Sequence, residues 1–226
     1  MAPYRKIPDG ISDAIRYDFS SDHNWSARYL ASAAAEIERA GDASADLYQD
    51  HRACVIGSVM ATVAFLESTI NEVFSDCQAR VWAARTGTIS PAEQDALGQI
   101  WSREIRMLST LRKYELALAV LRRPSLDRAA NPYASARALI TLRNELVHFE
   151  PEWIPLKRSD GRPLEQNQIH PMERLLRSRF ASNALAEPTW GFWPELCLGA
   201  GCASWALTSA EAFVDEFMRR LGARAA

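Results

Sequence analysis

Three polar side chains in the second half of the chain have the types and the spacing for acid–base chemistry. Arg143, Asn144 and His148 lie within the segment LRNELVH. In a helix with about 3.6 residues per turn, Asn144 and His148 share one face, and Arg143 lies about 100° around the axis from Asn144. An imidazole transfers protons near neutral pH, and a guanidinium holds an anionic group with two parallel donors. These three residues form the candidate site.

The segment that carries them, 133–150, is predicted to be an amphipathic helix. Its apolar residues recur at steps of three, four and three, which predicts one face turned to a core: Leu139, Leu142, Leu146 and Phe149. Pro132 stands where a helix can begin, and Pro151 stands where one must end. The candidate site therefore borders a buried face at the carboxyl end of a helix.

The rest of the chain has helical periodicity and no sustained strand-like alternation, so an all-α class is predicted. The longest helix, 45–82, has apolar residues at steps of three and four that predict one buried face: Val55, Val59, Val63, Leu66, Ile70, Val73 and Cys77. Four principal helices are expected to form an antiparallel bundle: 45–82, 101–122, 133–150 and 202–221.

Shorter elements and breaks complete the predicted organisation. A helix is expected from about Asn24 to Ala40, another start at Ser90–Pro91, and a short helical piece around 171–180. Several prolines make 151–171 a long loop after the helix of the candidate site. We divide the chain into an N-terminal extension with one helix, 1–44, and a helical domain, 45–226.

Composition and charge exclude several functional classes. The 226 residues are 48% hydrophobic and 24% charged, with a net charge of −2, which excludes a uniformly basic nucleic-acid binder. Charge is uneven, however, because the span 101–143 holds nine basic and three acidic residues. An anionic ligand that approaches Arg143 should therefore meet a favourable field.

The sequence also predicts a location. No apolar stretch typical of a secretory signal opens the chain, and the apolar runs near 53–66 and 196–207 are too short to span a bilayer. The four cysteines have neither metal-finger nor secreted-scaffold spacing. We therefore expect a cytoplasmic, reduced protein with no membrane partner.

Familiar metal and cofactor motifs are missing from the sequence. His148 and Glu150 match the H-x-E of zinc deaminases, but Cys197 and Cys202 are five apart and do not form the required C-x-x-C. No H-E-x-x-H, glycine-rich phosphate loop or G-x-S-x-G turn is present. Hence no metal and no cofactor are predicted.

The order Arg143-Asn144-x-x-x-His148 resembles the R-x(4–6)-H motif of the HEPN superfamily, whose members are four-helix bundles. The segment AFLESTINEVF, 64–74, resembles an earlier helix of that family through Glu67 and Asn71. The segment 202–217 resembles the closing helix of a bacterial branch, so the likeness covers roughly 45–222. Arg16 and His23 also satisfy the motif, but they lie in a Ser/Asp-rich segment without a helical stripe.

This resemblance implies a metal-independent endoribonuclease that cleaves RNA through the ribose 2′-OH, in a toxin or phage-defence role. His148 would be the general acid and base, Arg143 would clamp the phosphate, and Asn144 would orient the phosphate or the imidazole. Glu67 and Asn71 are weaker candidates for supporting residues, or else ordinary polar residues beside the core.

The resemblance also implies partners: an RNA substrate but not DNA, a second subunit whose site faces the first across a two-fold axis, and an antitoxin protein. The alternative function is a non-catalytic HEPN-like module that binds a protein or a nucleotide, since an intact motif can persist in such a module. The acidic balance of the whole chain favours that alternative slightly.

Overall fold

The computed structural model describes residues 16–41, 44–82, 89–151, 153, 169–186 and 192–222. All regular secondary structure in these residues is helical, which confirms the predicted all-α class. The helices are α1 (Ser20–Ala40), α2 (Ala45–Ala79), α3 (Pro91–Ile100), α4 (Arg103–Arg106), α5 (Thr110–Val120), α6 (Tyr133–Val147), α7 (Pro171–Leu176), α8 (Trp193–Cys197) and α9 (Ala200–Gly222).

Helix α2 is the centre of the core. It packs against α1, α3, α5, α6 and α9. All seven residues of its predicted apolar face are buried: Val55, Val59, Val63, Leu66, Ile70, Val73 and Cys77. Helices α1 and α6 each pack against α2 and α9 but make no extensive contact with each other. Helices α1 and α6 are therefore separate neighbours of the α2–α9 pair.

Helix α1 begins four residues before the predicted start at Asn24, because its N-terminus is capped from another helix. The backbone N–H groups of Ser20 and Phe19 donate to Oε1 of Glu72, at 2.8 and 3.1 Å. This carboxylate satisfies two of the donors that every helix start leaves open. The division of the chain near residue 44 stays a prediction, although α1 packs closely on α2 and α9.

The prediction of one helix over 101–122 is wrong, because the chain breaks between α4 and α5. Ser109 has an extended conformation (φ −61°, ψ 152°) and precedes the first residue of α5. The break exposes Met107, while Trp101 is held in the core, stacked on Phe74 with ring centroids 5.1 Å apart. Serine favours the position before a helix, so Ser109 is the local signal for this second start.

By length and composition alone, α2 could cross a bilayer. Its segment Asp46–Ala79 contains an 18-residue window of mean hydropathy 1.7. This segment is longer than the apolar runs near 53–66 and 196–207, which by themselves are too short to span a bilayer. Half of that window is buried inside the protein, as in the core helix of many soluble proteins, so the test is weak evidence. The cytoplasmic location stays a prediction.

Candidate functional site

The candidate site lies at the carboxyl end of α6, which ends three residues before the predicted limit. Val147 is the last helical residue, and His148 follows with φ −111° and ψ 26°. The backbone N–H of His148 still donates to the carbonyl of Asn144, at 2.9 Å. Because proline disfavours a helical conformation in the residue before it, Pro151 explains why the helix stops near this point.

The side chains of the site are presented outward. Asn144 and His148 are exposed, and Arg143 is half-buried. Within the described part of the chain, none of the three side chains has a hydrogen-bond or ion-pair partner. Arg137 and Thr141 lie on the same exposed face as Asn144 and His148, at steps of four, three and four. Arg137 and Thr141 lie outside the motif, although helical spacing alone places them on this face.

Other motif-like residues have structural partners instead. Nε2 of the fully buried His51 lies 2.9 Å from Oε1 of Glu38. Nδ1 of His170 accepts from the backbone N–H of Met172, and its ring stacks on a buried tryptophan. Arg16, the arginine of the second motif match, pairs at 2.5 Å with the buried carboxylate of Asp76. His148 differs from His51 and His170 because its ring has no hydrogen-bond or stacking partner among the described residues.

Apolar side chains flank His148 at the surface. Val147 is 50% exposed, Phe149 is 45% exposed and Trp153 is 100% exposed. Leu139 and Leu142 are buried as predicted. The prediction that Phe149 continues this buried face is wrong, because α6 ends at Val147 and Phe149 no longer follows the helical spacing. Exposed apolar side chains close to polar residues in the chain, such as Val147 and Phe149 beside His148, are typical of interaction surfaces.

Glu67 and Asn71 lie beside Lys113, one of the nine basic residues of the span 101–143. Nζ of Lys113 donates to Oδ1 of Asn71 at 2.9 Å and lies 3.6 Å from Oε1 of Glu67. Burial lowers the pKa of Lys113, and Glu67 opposes that shift. No hydrogen bond or ion pair between described residues joins Glu67 or Asn71 to Arg143, Asn144 or His148.

The excess of positive charge over 101–143 is partly neutralised. Four of its nine basic residues have carboxylate partners: Arg112 and Arg128 with Glu115, Arg123 with Glu93, and Lys113 with Glu67. The guanidinium of Arg106 lies over the Trp101 ring, 5.1 Å from its centroid. Arg137 and Arg143 have no such partner among the described residues.

Metal-binding side chains and surface cavities can be compared only among the described residues. Across the described residues, no group of three or more His, Cys, Asp or Glu side chains could hold a metal ion. Surface cavities of about 290 and 180 Å³ lie elsewhere, beside Arg174 and Arg177 and beside Arg80 and Asp95. At the end of α6, the exposed side chains of Asn144 and His148 line neither of these two cavities.

Comparisons with protein-family models, with curated proteins and with solved structures give no match for this chain. The resemblance to the HEPN superfamily therefore rests on the residues quoted above.

Proposed function

We propose that the chain is a HEPN-like four-helix bundle and a metal-independent endoribonuclease, with its site at the carboxyl end of α6. One observation supports this most. Arg143, Asn144 and His148 are presented at the surface with no partner among the described residues, while His51 and Arg16 are held by carboxylates. Exposed groups of this kind are available to a substrate.

The proposed reaction is transfer of a phosphodiester within the RNA chain. The ribose 2′-OH loses its proton and attacks phosphorus, and the 5′-oxygen of the next nucleotide leaves and takes up a proton. The products are a 2′,3′-cyclic phosphate and a 5′-hydroxyl. His148 transfers these protons, and the Arg143 guanidinium stabilises the extra negative charge on the phosphoryl oxygens with two parallel donors.

Other residues of α6 extend the substrate contact. Asn144 shares the exposed face with His148 and orients the phosphate or the imidazole. Arg137 lies on that face about 9 Å along the axis before Arg143, given about 1.5 Å per residue. Its guanidinium holds a neighbouring phosphate of the same strand. This contact carries no base specificity, because every nucleotide presents the same phosphate.

A second subunit completes the site in this proposal. A single histidine is sparse for both proton transfers, whereas two copies related by a two-fold axis bring two Arg143/His148 pairs into one cleft. The apolar side chains of Val147, Phe149 and Trp153 supply the contact surface, since they are exposed beside His148. The toxin or phage-defence role and an antitoxin partner belong to the same proposal.

The alternative is a non-catalytic module that binds a protein or a nucleotide through the same surface. The net charge of −2 and the neutralised cations between residues 101 and 143 favour it. The two functions differ in what the His148→Ala substitution does, because binding does not require proton transfer.

Induced expression in a bacterial host separates the two proposals. We expect wild type to slow growth and to fragment cellular RNA, and His148→Ala to do neither. His23→Ala is the matched control, because His23 belongs to the second motif match and lies outside the site. Equal toxicity of wild type and His148→Ala, with intact RNA in both cultures, would favour the binding module.

A further inference from the structure

Aromatic side chains cover the outer face of α1 and the residues just before it. Tyr17 is 69% exposed, Phe19 55%, Trp25 65% and Tyr29 61%. They form two preformed pairs: the Trp25 and Tyr29 rings stack with centroids 5.4 Å apart and planes 9° apart, and Tyr17 meets Phe19 edge-on at 4.9 Å. Large exposed apolar groups that are clustered indicate an interaction surface, unlike single exposed ones.

The exposed area of Tyr17, Phe19, Trp25 and Tyr29, here called the aromatic face, is large enough to form the central part of a stable interface. An aromatic side chain buries about 150–250 Å² when it is fully covered. With roughly three fifths of each group exposed, the four together offer about 500 Å². A standard protein–protein interface needs about 800 Å² per partner. Tryptophan and tyrosine are also the residues that most often dominate the binding free energy.

We propose that a second copy of this chain binds the aromatic face, with the two α1 helices antiparallel and Trp25 at the two-fold axis. In such a pair, a residue that lies n positions before Trp25 in one copy is opposite the residue that lies n positions after Trp25 in the other copy. Asp22 and Arg28, three residues before and after, therefore meet as opposite charges twice. Ser21 and Tyr29, four residues before and after, meet as a small and a large side chain.

The two charges that this pairing uses are held in place on α1. Oδ2 of Asp22 accepts a hydrogen bond of 2.9 Å from the Tyr17 hydroxyl. Arg28 is 56% exposed and pairs with Glu211 of α9. Both side chains remain partly exposed. Each can therefore contact an opposite charge of the second copy while it keeps its partner within its own chain.

This contact is separate from the proposed dimer at the end of α6. Helices α1 and α6 make no extensive contact with each other, and an α1 pair centred on Trp25 has a two-fold axis of its own. If both contacts form, the assembly is larger than a dimer. The pairing through α1 does not depend on ribonuclease activity.

The first test measures the mass in solution by light scattering at about 5–200 µM protein. We expect Trp25→Ser/Tyr29→Ser to halve the wild-type mass, with an unchanged circular dichroism spectrum because both residues are exposed. Met107→Ser, which removes an exposed apolar group elsewhere, is the control. A monomeric wild type, or a double variant with the wild-type mass, would overturn the proposal.

The second test uses the symmetry of the charge contact. Asp22→Arg and Arg28→Asp each place like charges opposite each other in a homotypic pair, so each variant alone should associate more weakly than wild type by tenfold or more. An equimolar mixture restores both opposite-charge contacts in the mixed pair. We expect fluorescence energy transfer between differently labelled variants to show that pair. No transfer in the mixture would overturn the arrangement.

Discussion

Nζ of Lys113 lies 2.9 Å from Oδ1 of Asn71 across the boundary between α5 and α2, where the lysine is 1% exposed. A buried ammonium destabilises a fold unless its donors are bonded. Asn71 supplies such a bond, and the half-exposed carboxylate of Glu67 adds a weaker attraction at 3.6 Å. Asn71 therefore stabilises the fold through Lys113, and its support of His148 stays a prediction.

Asn71→Ala should lower the free energy of unfolding in urea by about 1–3 kcal/mol, since it leaves a buried donor without its acceptor. Lys113→Met should lower it less, because an apolar side chain of similar size needs no partner. At a temperature where Asn71→Ala remains folded, its RNA cleavage should equal that of wild type. A loss of cleavage without a loss of stability would restore Asn71 as a supporting residue of the site.

Glu115 should make stability depend on pH in acid. Burial raises the pKa of this carboxyl group, but hydrogen bonds from Arg128, Tyr133 and Arg112 outweigh it and lower the pKa to about 2. Because the pKa is depressed in the folded state, the stabilisation is full above the unfolded value of about 4.3 and is lost as pH falls towards 2.

The Glu115→Gln protein should therefore be less stable than wild type by about 1–2 kcal/mol at pH 7, after allowance for exposure of the arginines. Chemical denaturation at steps from pH 7 to pH 2.5 should show this difference shrinking below pH 4. Glu145→Gln is the control, since Glu145 has no hydrogen-bond partner among the described residues. A difference that stays constant across this range would contradict the account.

The four cysteines are free thiols, which agrees with the predicted reduced state, and they should differ in reactivity. Burial raises the pKa of Cys77 and Cys197 to about 12 and that of Cys202 further, so little reactive thiolate forms at pH 8. Cys54 is partly exposed. An aromatic disulfide reagent should label one thiol rapidly in the native protein and four after unfolding, and rapid labelling of three or more native thiols would be inconsistent with this burial.

The end of α6 should be a subunit contact. Replacing Phe149 and Trp153 together by serine should lower the mass measured by light scattering, because the pair loses most of the exposed apolar surface beside His148. The same change should abolish RNA cleavage if the two sites work together. A double variant that keeps the wild-type mass would remove α6 from the interface, whatever happens at α1.

Local periodicity explains which parts of the fold were predictable. The buried face of α2 and the helix start at Ser90 depend on residues close in sequence, and the capping contacts between Ser90 and Glu93 are present. The start of α1 was missed because its cap, Glu72, lies 52 residues away from Ser20. The sequence shows no local trace of such a distant partner.

The candidate site, like the fold, was predictable only where it depends on residues close together in the sequence. Helical spacing placed Asn144 and His148 on one exposed face, but it also extended α6 too far and so assigned Phe149 to the core. The role of Asn71 depends on Lys113, 42 residues away on another helix, and only the packing of α2 against α5 brings them together. Spacing within one helix cannot show that contact.

The measurement that tests the proposed function most directly is RNA cleavage by purified protein in EDTA, with analysis of the new ends. We expect wild type to produce 2′,3′-cyclic phosphate and 5′-hydroxyl ends. His148→Ala should lower the rate by about 10²–10⁴ and Arg143→Ala by about 10²–10³. Arg103→Ala, which removes an exposed arginine outside the site, should cut at the wild-type rate. Wild type that cuts no faster than His148→Ala, or cleavage that EDTA abolishes and a divalent ion restores, would contradict the account.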